Sequence, residues 1–124
     1  MARFLVICLG GAIGTGARYL LALWVVGKAG PGFPLGTLAV NVIGSFAMGF
    51  VVQFAATNPM SETTKLALTT GVLGGFTTYS AFNHETLRLV QEGAWASGVA
   101  NVAATVLLCL AAGVGGMAAA RAVG

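Results

Sequence analysis

The sequence has 124 residues and a formal net charge of +3, with 57% hydrophobic and only 7% charged residues. A soluble domain usually carries about 25% charged residues, so this chain lacks the charge needed to cover a surface that faces water. The same numbers exclude a disordered chain. Together with 19 glycines and no Asp, the composition predicts a membrane protein surrounded mostly by lipid.

The first predicted element is an apolar segment that covers residues 4–26. It follows Met1-Ala-Arg, as the core of a secretory signal peptide would, but it is longer than the roughly 7 to 15 residues of such a core. Arg18 interrupts it, and no small-residue cleavage site is evident before the next apolar segment. We therefore predict a mature transmembrane helix.

Three further apolar segments of similar length follow, at residues 36–56, 66–90 and 95–120. Because a helix needs about 20 apolar residues to cross about 30 Å of hydrocarbon, each is predicted to span the membrane. The connections at 27–34, 57–62 and 91–94 are short and contain Gly, Pro, Asn or Glu, so consecutive helices should be antiparallel neighbours. The predicted fold is all-α, a single domain of four transmembrane helices over residues 1–124.

The basic residues are divided evenly between the two sides that four spans would create. The side with both termini holds Arg3, Lys65 and Arg121, and the other holds Lys28, Arg88 and Arg18. Since an excess of Lys and Arg normally fixes orientation, this balance leaves two interpretations open. Either the chain has only a weak preference for one membrane orientation, or it inserts into the membrane in both orientations and pairs as an antiparallel dimer.

The third segment is unusual because residues 69–85 place glycines, hydroxyls and ionisable groups where lipid should be crossed. Gly74-Gly75 followed by Thr77-Thr78 predicts a helix broken near its middle, which is tolerated only where the irregular backbone is buried or lines a cavity. Carbonyls freed by such a break can bind Na⁺. The alternative is a continuous helix whose glycines pack closely and whose hydroxyls bond back to carbonyls.

Two other spans carry polar groups that lipid does not tolerate unpaired. Asn41 lies in the second span, where its amide serves either as an interhelical hydrogen bond or as part of a ligand site. In the fourth span, Ser97, Asn101 and Thr105 recur every four residues and so share one helix face. That stripe predicts either packing contacts or one wall of a wet pathway.

In the second half of the third span, Tyr79 and Phe82 stand three residues apart and project from one face. Core packing is the usual role of such a pair, although the positive edges of the rings can also face a small anion. Glu85 and Arg88 also stand three apart, and an ion pair between them is the simplest interpretation.

These residues together resemble the Fluc, or CrcB, family of small fluoride channels, and the resemblance covers essentially the whole chain. The matching motifs are residues 11–14 with Arg18-Tyr19, residues 36–44, and residues 71–82 with Glu85. The sequence differs from the family at Tyr79, where Phe is typical, and at Ala81, where a hydroxyl residue is common.

The resemblance implies a dual-topology, antiparallel homodimer in the inner membrane of a prokaryote, with two fluoride pores. It also implies a structural Na⁺ at the two-fold axis, held by the backbone carbonyls of Gly74 and Thr77 from each copy. The partners are then a second copy of the chain, fluoride and the lipid bilayer, with no nucleic acid. The residues expected to line the anion pathway are Asn41, Tyr79, Phe82, Thr78, Ser80, Arg18, Asn101 and Thr105.

Two other functions remain as alternatives to a passive fluoride channel. A small proton-coupled multidrug exporter also has four spans, but it needs a carboxylate deep in its first helix, where this chain has Arg18 and no acid. A non-transporting assembly subunit would use the same polar groups only for packing. An enzyme is not indicated, because no nucleophile, base and orienting group stand at suitable spacing.

Overall fold

A computed structural model describes residues 1–124 and contains only helices. The helices are α1 (Ala2–Ala29), α2 (Leu35–Thr57), α3 (Glu62–Leu66), α4 (Gly74–Phe76), α5 (Tyr79–Gln91) and α6 (Trp95–Val123). A π-helical segment, Ala67–Leu73, connects α3 to α4. The predicted all-α class is therefore confirmed.

Three of these helices, α1, α2 and α6, are long and apolar enough to cross a membrane. Their ends follow from local sequence: Gly30 and Gly93 adopt positive φ values of 81° and 79° where the chain turns. Ser61 caps α3 by accepting a hydrogen bond from the Thr64 N–H at 3.1 Å. The region between α2 and α6 is helical in pieces, each too short to cross a membrane alone.

The helices form two closely packed pairs, α1 with the π-helical segment and α2 with α6. In the first pair, a Cβ added at Gly71 would lie 2.9 Å from the Ile7 carbonyl oxygen and 3.3 Å from the Cα of Gly10. Glycine is therefore required for the two backbones to touch, as in small-residue contacts between membrane helices. The sequence shows these glycines without identifying their partners.

Only 15 of the 124 residues are buried in the single chain. Large apolar side chains of α1 and α6 face outward, among them Leu9, Ile13, Leu107 and Leu110. Two polar side chains are buried, Asn41 and Asn101. A chain with this distribution needs lipid or another protein around it.

Candidate ion pathway

An interruption of the helical backbone separates α4 from α5 and forms the centre of the site. Thr77 and Thr78 are both extended, with ψ values of 158° and 113°. The Asn41 side chain from α2 binds the backbone of Thr78 twice, donating from Nδ2 to the carbonyl at 3.0 Å and accepting from the N–H at 2.8 Å. This buried amide thus replaces the hydrogen bonds that Thr78 would make inside a helix.

The same arrangement deprives two carbonyls of the donors that a continuous helix would supply. The Thr78 N–H would normally donate to Gly74 but donates to Asn41, and the Ala81 N–H would donate to Thr77 but donates to Thr78 Oγ1 at 3.2 Å. The Thr77 carbonyl accepts only a long bond of 3.4 Å from Arg18 Nη1. These are the two carbonyls, Gly74 and Thr77, predicted to hold a cation.

A groove of about 660 Å³ is lined by residues of α2, of α6 and of the interruption. We call it the α6 groove, and its lining includes Asn41, Thr77, Thr78, Tyr79, Phe82 and Thr105. The rings of Tyr79 and Phe82 lie 5.5 Å apart at an angle of 57°. Phe82 is 9% exposed and Tyr79 is 79% exposed, so Phe82 is fixed by the chain itself whereas Tyr79 extends beyond it.

A second cavity of about 500 Å³ lies on the other side of the interruption. This α1 cavity is lined by Thr15, Arg18, Tyr19, Ala22, Thr37, Val40, Thr78, Ser80 and Ala81. Thr78 lines both spaces. Arg18 is the one charged residue in either lining, so the α1 cavity is positive and the α6 groove is neutral.

Glu85 makes a different contact from the one predicted. Its Oε1 accepts from Thr37 Oγ1 at 2.8 Å, whereas Arg88 forms its ion pair with Glu92 at 3.2 Å. The predicted Glu85–Arg88 pair is therefore wrong, and the reason is that Glu92, four residues from Arg88, is also within reach. Oε2 of Glu85 is buried and has no hydrogen-bond partner within the chain.

Comparison with known proteins assigns the family. The family described as CrcB-like protein, Camphor Resistance (CrcB), matches residues 5–117. The chain belongs to the CrcB family. A relative from Sorangium cellulosum, named as a fluoride-specific ion channel, is 56% identical over 98% of this chain and 96% of its own. Similarly named proteins from Anaeromyxobacter dehalogenans and Geobacter sulfurreducens are 52% and 49% identical, over 90% and 98% of both chains.

In this CrcB-family chain most of the predicted pathway residues come together around the interruption. Arg18 and Ser80 line the α1 cavity, and Tyr79, Phe82 and Thr105 line the α6 groove. Asn101 lines neither space. It is 2% exposed and donates from Nδ2 to Thr86 Oγ1 at 2.9 Å.

The sequence did not single out Thr37 or Thr86, although both hydroxyls bond to polar groups of the site. Thr37 stands four residues before Asn41, and this spacing was a usable signal for a shared helix face. Thr86 carries no comparable signal, because its partner Asn101 is on another helix. Cys109, four residues after Thr105, also lines the α6 groove, and its spacing was likewise a usable signal.

Proposed function

We propose that this protein is a passive, fluoride-selective channel that works as an antiparallel, dual-topology homodimer with two pores. The chain belongs to a family of channels and is not an enzyme, and its relatives are named as fluoride-specific ion channels. The observation that carries the proposal is the interruption at Thr77-Thr78, which places neutral hydrogen-bond donors and ring edges beside the α6 groove.

The main physical problem for such a channel is removal of water from the ion. Moving an ion the size of a carboxylate into a medium of low dielectric costs on the order of 20 kcal/mol in the idealised case, and fluoride is smaller. In the proposed pathway the second amide hydrogen of Asn41, hydroxyls such as Thr105, and the edges of Tyr79 and Phe82 replace that water in sequence. The amino end of α5 adds a favourable dipole, because this helix begins at Tyr79 beside the groove.

Entry is assigned to the α1 cavity, where Arg18 raises the local concentration of anions. Ser80 and Thr78 line this cavity and provide hydroxyls on the way to the interruption. No proton or nucleotide is required, so the ion follows its gradient. The remaining predicted pathway residue, Asn101, lines neither of the two spaces.

The proposal includes a structural Na⁺ shared by two copies of the chain. The residues present fit it, because Gly74 and Thr77 offer two backbone carbonyls that have lost their helical donors, and hard cations prefer oxygen ligands. Two carbonyls are too few for one ion, so a second chain would complete the set. The bound cation would supply a fixed positive charge and connect the two copies.

The membrane arrangement completes the proposal. Residues 62–91, from α3 to α5, form the third of four crossings, and the even distribution of basic residues allows insertion in both orientations. The named relatives are from bacteria, which favours the inner membrane of a prokaryote. Burial of only 15 residues leaves ample apolar surface for a second copy.

The decisive experiment is fluoride release from proteoliposomes, measured with an ion-selective electrode beside a chloride control. We expect fluoride release and no chloride release. Drug-dependent proton movement would instead identify an exporter, and no flux of either kind would identify a non-transporting subunit.

A matched pair of variants then tests the groove. Phe82→Ile removes a ring that lines it, whereas Phe4→Ile removes a ring that is 62% exposed near the start of α1. We expect a sharp loss of flux for the first and parent flux for the second, with intact dimers in both. Equal flux in the two variants would remove Phe82 from the pathway.

A further inference from the structure

Helix α5 lies close to few other helices of the chain. It packs chiefly on α6, touches α2 little, and has no close contact with α1. Side-chain hydrogen bonds from its neighbours therefore have a large share in setting its position.

Phe82 lies midway between two of these hydrogen-bonded links. Thr78 is the N-cap of α5, and Phe82 and Thr86 follow at intervals of four residues, so that Phe82 and Thr86 lie along one face of the helix. Asn41 binds the backbone of Thr78, one turn before Phe82. Asn101 donates to Thr86 Oγ1 at 2.9 Å, one turn after it, and Thr86 Oγ1 in turn donates to the Phe82 carbonyl at 2.7 Å.

The two asparagines that make these links are the two buried polar side chains of the protein. They come from different helices, Asn41 from α2 and Asn101 from α6. Hydrogen bonds from α2 on one side and from α6 on the other thus fix the turn of α5 that carries the Phe82 ring.

We propose that Asn101 is a positioning residue for the ion pathway: through Thr86 it fixes the rotation of α5 and holds the Phe82 ring in the α6 groove. It does not contact the ion, since it lines neither cavity. This inference rests on the proposed channel function.

Asn101→Leu removes the link without leaving a buried donor unpaired: it preserves the approximate shape, and Thr86 still donates to the Phe82 carbonyl. Thr86→Val removes the acceptor of the same link and leaves the buried Asn101 amide without its partner. Thr86→Ser retains the hydroxyl. Ser97→Ala is the matched control, because Ser97 stands one turn before Asn101 on α6 and makes no side-chain hydrogen bond.

The experiment measures fluoride flux per dimer in proteoliposomes for these variants, with dimer content and thermal stability determined in parallel. We expect Asn101→Leu and Thr86→Val each to lower flux by about threefold to about twentyfold, the range that interhelical hydrogen bonds in membranes support. The double variant, with both Asn101→Leu and Thr86→Val, should lose no more flux than either single variant. Thr86→Ser and Ser97→Ala should retain parent flux.

Loss of flux in Asn101→Leu with parent flux in Thr86→Val would overturn the inference, because Asn101 would then act without Thr86. Additive losses in the double variant would also overturn it. If Asn101→Leu does not assemble, Thr86→Val and Thr86→Ser decide the question alone, since both concern the same link. Absence of fluoride flux in the parent protein would contradict the channel proposal and is thereby distinguished from failure of this inference.

Discussion

Replacing Asn41 with leucine tests the element on which the site depends. The side chain is 8% exposed and makes two hydrogen bonds, of 3.0 and 2.8 Å, with the Thr78 backbone. Leucine leaves the Thr78 N–H and carbonyl without partners, and each unsatisfied buried group costs about 1 to 3 kcal/mol. We therefore expect a loss of about 2 to 6 kcal/mol, a large part of the typical total stability of about 5 to 15 kcal/mol.

The measurement is thermal unfolding of the purified protein, followed by size-exclusion chromatography, beside fluoride flux. Asn41→Asp retains one of the two hydrogen bonds, because a carboxylate still accepts from the Thr78 N–H, so it should lose less stability than Asn41→Leu. An ionised aspartate would repel an anion about 5 Å away by about 3 kcal/mol, which is more than a hundredfold in rate. The reasoning is refuted if Asn41→Leu retains the parent's stability and flux, since the two hydrogen bonds would then not stabilise the interruption.

Three further predictions concern individual positions. Tyr79→Phe should leave flux within about twofold of the parent in the same liposome assay, because the hydroxyl makes no hydrogen bond within the chain and the ring is 79% exposed; a large loss would show that the hydroxyl contacts the ion. Gly75→Ala should lower thermal stability by about 1 to 3 kcal/mol by overpacking against the α1 backbone, whereas Gly16→Ala, with open space around it, should not. A charged, water-soluble thiol reagent should modify Cys109, which lines the α6 groove, and thereby reduce fluoride flux. Cys109→Ser should abolish this inhibition, whereas Cys8→Ser should not. Inhibition that survives Cys109→Ser would contradict the pathway.

The sequence predicts the helical class and the helix limits well because both depend on local properties. Apolar segments of membrane length identify α1, α2 and α6, and capping residues such as Ser61 and Gly30 mark helix ends. The irregular stretch could also be located, since glycines and threonines cluster from Gly74 to Thr78. Whether a continuous helix or an extended segment forms there depends on a partner for the backbone, and that partner is 37 residues away in the chain.

Contacts between helices were harder to predict. Asn101 and Thr105 share a helix face by their spacing, yet Thr105 lines the α6 groove and Asn101 faces Thr86. The reason is that 3.6 residues per turn rotate every fourth residue by about 40°, which is enough to direct neighbours in a stripe to different helices. Spacing along one helix carries no information about which neighbour covers each side.

In the proposed pathway, the distribution of charge around the interruption would attract an anion without retaining it. The α6 groove has no charged residue in its lining, whereas Arg18 lies in the α1 cavity with its guanidinium directed at the Thr77 carbonyl. An ion pathway needs sites that bind strongly enough for entry and weakly enough for exit. In a low dielectric, an arginine inside the groove would bind a small anion too strongly for exit, whereas neutral donors such as Asn41 stabilise it less. In the proposed pathway the anion is therefore attracted in the α1 cavity, before the interruption, and moves past neutral donors in the α6 groove after it.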